Sequence, residues 1–106
     1  MDKKAVIEIV DRFRLGLEAR GIRPQKIILY GSHATGFATA ESDIDLVVIS
    51  SDFSDKGYWE RVDVLSDVIY EMFVPLDAVA MTPDELERED SFVVEFARTG
   101  QVVYAA

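Results

Sequence analysis

The sequence predicts an α/β (α+β) domain: a small mixed sheet of three core strands with helices packed on it. Residues 26–30, 43–49 and 76–81 are short apolar runs of strand type, whereas 3–20 and 58–72 repeat apolar residues at helical spacing. Length sets the scale, because 106 residues with 49% hydrophobic side chains suffice for one modest core and leave no room for a second. A single domain over 1–106 is expected.

In the first helix Val6, Val10, Phe13 and Leu17 step by three and four, with Ile9 beside them. Lys3, Lys4, Arg12, Arg14 and Arg20 lie off that stripe, and Gly21 stops the helix. Arg23-Pro24 leads into the first strand, Lys26 to Tyr30. One helical turn is expected over Ser32 to Phe37, then a loop of small residues, Ala38 to Ser42. The second strand, Asp43 to Ile49, is apolar after its acids, as in a central strand covered on both faces. It should pair antiparallel with the first, because a short connection cannot return the chain for a parallel pair.

Residues 50–57 read as a loop, placed to cover a site or leave it open. The second long helix, Tyr58 to Met72, is expected to bury Tyr58, Val62, Leu65, Ile69 and Met72, with Val68 alongside. Glu60, Asp63, Asp67 and Glu71 form its acidic opposite face, and Trp59 is read as half-buried packing. Pro75 closes this unit before the third strand, Leu76 to Met81. Thr82-Pro83-Asp84-Glu85 has the chemistry of a helix start: an N-cap, a proline at the first helical position and a capping-box glutamate. A break near Asp90-Ser91 is expected before residues 92–97; Thr99-Gly100 ends the helix, and Gln101 to Tyr104 adds a short edge strand.

The chemistry concentrates at Gly31-Ser32 and Asp43-Ile44-Asp45. Side chains at i and i+2 of a strand share a face, so Asp43 and Asp45 project together, about 7 Å apart along the chain, with Ile44 opposite. Two carboxylates so placed repel, and a divalent cation with oxygen ligands relieves the repulsion. Gly31 tolerates positive φ, Ser32 suits an N-cap, and the free N–H groups of such a turn favour an anion, above all phosphate. Carboxylates for metal beside amides for phosphate describe a metal–nucleotide site. The competing structural reading makes Asp43 and Asp45 merely solvated residues at a strand's beginning.

Gly31-Ser32, ten intervening residues, then Asp43-Ile44-Asp45 resembles the signature of the DNA polymerase β-type nucleotidyltransferase superfamily. The short form it most resembles is the minimal nucleotidyltransferase, often the antitoxin partner of a HEPN-domain toxin. The resemblance implies a polymerase β-like fold and a third carboxylate on a later strand, where Asp77 fits. It further implies that Asp43, Asp45 and Asp77 are catalytic and bind Mg²⁺, two ions during turnover, while Gly31 and Ser32 cradle the phosphates of ATP or another nucleoside triphosphate. The implied outcome is transfer of a nucleoside monophosphate, AMP from Mg-ATP, to a hydroxyl. His33 and Thr35 stand where many relatives carry arginine. Histidine is mostly neutral at pH 7, so His33 either touches phosphate as a weaker ligand or caps the turn.

Charge narrows the partners. Residues 1–26 hold seven of the eleven basic residues and four of the acids, a net +3, so the remainder carries −12 of the formal total of −9. Such a body repels nucleic acid, which needs a basic track. No run is long enough to span a bilayer, the N-terminal stretch lacks a signal peptide's apolar core, and the absence of cysteine suits a reducing cytoplasm. Two functions fit: a Mg²⁺-dependent protein adenylyltransferase that modifies a HEPN-type helical toxin, or a non-catalytic antitoxin or adaptor that neutralises a partner by binding. A small-molecule transferase ranks third, since the chain is too short to build the second substrate's site alone. A homo-oligomer is compatible with either leading reading.

Overall fold

The computed structural model describes residues 2–36, 38, 42–88 and 92–106. Helix α1 (Lys3–Glu18) starts at Asp2, whose carboxylate accepts the Ala5 N–H at 2.8 Å. Then follow β1 (Lys26–Tyr30), the single turn α2 (Ser32–Thr35), β2 (Ile44–Ile49), a 3₁₀ turn (Ser51–Phe53), α3 (Tyr58–Met72), β3 (Leu76–Met81), α4 (Pro83–Arg88), α5 (Phe92–Thr99) and β4 (Gln101–Ala105). The expected helix starts and strand limits recur within a few residues. The turn α2 ends at Thr35, short of Phe37, and Gly31 rather than Ser32 holds its N-cap position. Phe37, most of the Ala38–Ser42 loop and the break at Asp90-Ser91 lie outside the described residues.

The sheet runs β3-β2-β1-β4, four strands rather than three. β1 and β2 pair antiparallel as expected, and β2 and β3 pair parallel with α3 as the crossover. β4 joins antiparallel to β1, with an irregularity between Ile27 and Ile28. The fourth strand follows from the end of α5, where Gly100 donates to the Phe96 carbonyl at 2.9 Å and turns the chain back along the free side of β1.

Strand alternation divides the core. Ile27, Leu29, Ile44, Leu46, Val48 and Leu76 face α1 and α3, meeting Phe13, Leu17, Leu65 and Val68. The two helices touch closely: a Cβ on Gly16 would stand 2.6 Å from Val68 Cγ1. Ile28, Val47, Ile49 and Met81 face the other way, against Val94 and Ala97 of α5. Each large side chain so buried contributes about 1.5–3 kcal/mol. On this second face α5 covers only part of the sheet, and the uncovered part carries the candidate site.

Three expectations need correction. Residues 50–57 follow the C-terminal end of β2, so they lie at the opposite end of the strand from Asp43 and Asp45 and do not cover them. Phe53 is fully buried there, and Arg61 pins the segment by donating to the carbonyls of Phe53 and Lys56. Tyr58 lies on the side of α3 that turns inward, yet is 70% exposed, because the first turn of the helix overhangs a cavity instead of a packed layer. Trp59, one residue round the helix, points away from the core and is exposed rather than half-buried. The capping box, by contrast, forms as read: Thr82 N–H donates to Glu85 Oε1 at 2.8 Å, and Glu85 N–H to Thr82 Oγ1 at 3.1 Å. Burial opposes ionisation of Glu85, but the Thr82 bonds and the Arg61 guanidinium outweigh it and lower its pKa.

Candidate functional site

β1 ends at Tyr30, and the chain turns at once through Gly31 into α2. Gly31 has φ 74° and ψ −156°, a combination essentially restricted to glycine. The missing side chain also makes room: a Cβ at Gly31 would overlap Asp45 Oδ2 and stand 3.3 Å from Asp45 Cγ. The turn and the second aspartate are therefore built against each other. Thr35 closes α2 by donating its hydroxyl to the carbonyls of Gly31 and Ser32, each at 3.3 Å. The first-turn N–H groups of a helix lack intrahelical acceptors, which leaves those of Ser32 and His33 for an anion. His33 does not hang free: its Nε2 lies 3.1 Å from the Ser42 carbonyl, so that nitrogen donates and the ring ties α2 to the segment entering β2.

Asp45 pairs across the antiparallel ladder with Tyr30 and, on the other side, in register with Asp77 of β3. In-register partners share a face, so Asp45 and Asp77 project together from the part of the sheet that α5 leaves open. Asp43 lies one residue before β2, exposed like Asp77, while Asp45 is half-buried. Burial raises the Asp45 pKa, and the charges of Asp77 and then Asp43 raise it further, with His33 opposing. The structure thus brings Asp43, Asp45, Asp77, Gly31 and His33 into one neighbourhood. None of the three carboxylates makes an ion pair or hydrogen bond among the described residues.

Tyr30 was not singled out by the sequence reading. Its ring stacks on Phe96 of α5, 5.1 Å between centroids, and its pKa is raised by burial and then by Asp45 and Asp77. The signal was present in the alternation of β1: Ile28 and Tyr30 share the face opposite Ile27 and Leu29.

The donor set suits a hard divalent cation: carboxylate oxygens only, one of them half-buried, with no lysine or arginine neutralising them. Among the described residues no group of three or more acidic, imidazole or thiol side chains stands close enough to hold a metal ion. The arrangement is an open, negatively charged cluster. Its cost appears in a pH dependence. A carboxyl whose folded pKa is raised favours the protonated state, so its contribution to stability is present below the ordinary aspartate value, near 3.9, and is lost as pH rises through the raised value. At pH 7 without added cations, Asp45→Asn should therefore melt at a higher temperature than the wild type. The gain should vanish in scans below about pH 4.

A family model described as "Nucleotidyltransferase domain" matches residues 10–101, a span that includes α2, all three aspartates and most of the sheet. The chain belongs to the nucleotidyltransferase domain family. Two relatives of this chain come from Methanocaldococcus jannaschii, each bearing the name "Putative protein adenylyltransferase". One is 33% identical over 91 residues, covering 85% of this chain and 60% of the relative. The other is 29% identical over 105 residues, covering 97% of this chain and 98% of the relative. The chain thus spans well under two thirds of the first relative and nearly all of the second. A crystal structure described as a toxin-antitoxin with AMP-PNP shares the fold at a TM-score of 0.61 and 21% identity, over 89% of this chain and 72% of that one. No helix of this chain, among the described residues, is long and apolar enough to cross a membrane.

Proposed function

We propose that residues 1–106 act as one minimal nucleotidyltransferase domain that transfers AMP from Mg-ATP to a hydroxyl on a partner protein, in the cytoplasm. The observation that carries this is the register of Asp45 with Asp77 beside the Gly31 turn, which gathers three unneutralised carboxylates next to free helix-start amides. The names of the two archaeal relatives support the choice of a protein acceptor and of AMP. The toxin-antitoxin described with AMP-PNP supports a nucleotide and a toxin as partner; that the toxin is of HEPN type rests on the resemblance carried by Gly31-Ser32 and Asp43-Ile44-Asp45 alone.

In this reading Asp43, Asp45 and Asp77 would hold Mg²⁺, which supplies charge neutralisation for the triphosphate and its leaving group. The amides of Ser32 and His33 bind the β- and γ-phosphates, and Gly31 keeps the backbone close. Asp77, exposed at the start of β3, accepts the proton of the acceptor hydroxyl. The hydroxyl oxygen forms a bond to the α-phosphorus as the bond from that phosphorus to the bridging oxygen breaks, and pyrophosphate departs. Positioning supplies most of the acceleration, since phosphoryl-type transfer asks little covalent chemistry of the protein.

A second reading, neutralisation of the partner by binding alone, is favoured by one observation. His33 is committed to the Ser42 carbonyl, where a free arginine would have gripped phosphate. ATP labelled in the α-phosphate distinguishes the two. Incubated with Mg²⁺ and the partner protein, the enzyme is expected to pass label to the partner, whereas γ-label stays in pyrophosphate. Full neutralisation of the partner by an Asp43→Asn/Asp45→Asn/Asp77→Asn variant would leave only the binding function.

A further inference from the structure

Helix α3 carries two large aromatic side chains on the side turned away from the sheet, and its C-cap residue adds a third exposed ring. At 100° per residue Trp59, Asp63, Ser66 and Tyr70 fall on one stripe, opposite the buried Leu65, Val68 and Met72, and Phe73 follows as the C-cap. Trp59 is 72% exposed, Tyr70 83% and Phe73 90%. From Trp59 to Tyr70 the stripe is about 17 Å long at 1.5 Å per residue. Single exposed apolar side chains are ordinary, but aligned aromatic ones mark surfaces that another molecule covers.

Two further observations concern the ends of this helix. Phe73 has φ 56° and ψ 39°, and among the described residues it alone has a positive φ without being glycine. The chain therefore accepts backbone strain to keep an aromatic ring in water, where glycine would sit without strain. At the other end Tyr58 meets Trp59 edge-on, 4.9 Å between centroids, which holds the indole in place.

Charge selects the occupant. Asp63 lies in the stripe and Asp67 beside it, and neither makes an ion pair among the described residues. Arg61, the helix's one cation, is turned the other way and bound to Glu85 at 2.6 Å. A second copy laid on this face would set these carboxylates against their own kind in a chain of charge −9, which disfavours self-association. A basic surface is attracted instead.

We propose that the outer face of α3 docks an amphipathic helix of a partner protein, one whose apolar stripe is bordered by lysine or arginine. Helix-on-helix packing then places the three rings in the partner's grooves, with Asp63 and Asp67 facing its cations. This takes from the nucleotidyl-transfer reading only that a second protein is present, and its test contains no nucleotide, so either can fail without the other.

Trp59 is the chain's single tryptophan, so its emission reports on this face. The probe is a synthetic helical peptide about five turns long, leucine along one stripe and lysine on both flanks, beside a peptide of the same composition in scrambled order. The striped peptide should shift Trp59 emission to the blue and bind at least about tenfold more tightly than the scrambled one. Its affinity should fall as salt is added. A Tyr70→Ser/Phe73→Gly variant should lose about tenfold or more in affinity while its melting temperature stays level or rises. An Asp63→Asn/Asp67→Asn variant should lose its preference for lysine over a glutamate-flanked peptide. Equal binding of striped and scrambled peptides would overturn the proposal. So would wild-type affinity in the Tyr70→Ser/Phe73→Gly variant, or a dimer in light scattering that this variant abolishes.

Discussion

Asp77→Asn protein is expected to lose AMP transfer by about 10³-fold or more while keeping its fold and its partner. Asp77 is exposed at the start of β3 and makes no hydrogen bond or ion pair among the described residues, so no structural contact goes with its charge. Its charge does act on Asp45, whose pKa it helps to raise. Removing it relieves a repulsion, and the melting temperature without cations should hold or increase. In the proposed mechanism the transfer step suffers because the proton acceptor and one oxygen donor for the cation disappear together. Interactions made only in the transition state lower kcat and kcat/KM alike. Single-turnover labelling with α-labelled ATP should therefore show the full loss in rate, with partner affinity unchanged. A rate within about tenfold of wild type would remove Asp77 from the chemistry, since a positioned base contributes roughly 10²–10⁴.

The sequence exposes the two halves of this site unequally. Asp43 and Asp45 are legible from their spacing alone, because alternation in a strand needs no partner to set it. The pairing of Asp45 with Asp77 is not, because thirty-odd residues containing α3 separate them, and a parallel register is fixed by how that helix packs. The family resemblance supplied Asp77; Leu46, Val48 and Ala78 on the helix-covered face hold the register. Periodicity likewise gives the phase of α3 but not where its packing layer ends, which is why Tyr58 and Trp59 were misplaced while Leu65, Val68 and Met72 were not. The 50–57 segment looked like a cover because its composition is that of a loop. Strand direction places it at the far end of the sheet, where Arg61 fastens it. Tyr30 was overlooked as the last residue of an apolar run; only the ladder sets it beside Asp45.

Gly31→Ala should disable nucleotide binding and lower stability together, and Gly36→Ala tells the two apart. At Gly31, φ 74° with ψ −156° lies where a side chain costs about 1–3 kcal/mol through backbone strain alone. A methyl there also overlaps Asp45 Oδ2, so either the carboxylate moves or the peptide flips, and a flip re-aims the amides of Ser32 and His33. Gly36 also has positive φ, 84°, but lies in the ordinary left-handed region with nothing within 4 Å of a built Cβ. Alanine at Gly36 should cost only the left-handed penalty, on the order of 1 kcal/mol, and leave the aspartates untouched. Thermal unfolding with and without Mg-ATP reads both effects, because a ligand that binds only the folded state raises its melting temperature. Wild-type and Gly36→Ala protein should rise by the same increment on addition of Mg-ATP. Gly31→Ala should melt lower and show no rise. A full Mg-ATP shift in Gly31→Ala protein would mean that the nucleotide is held somewhere other than the turn built against Asp45.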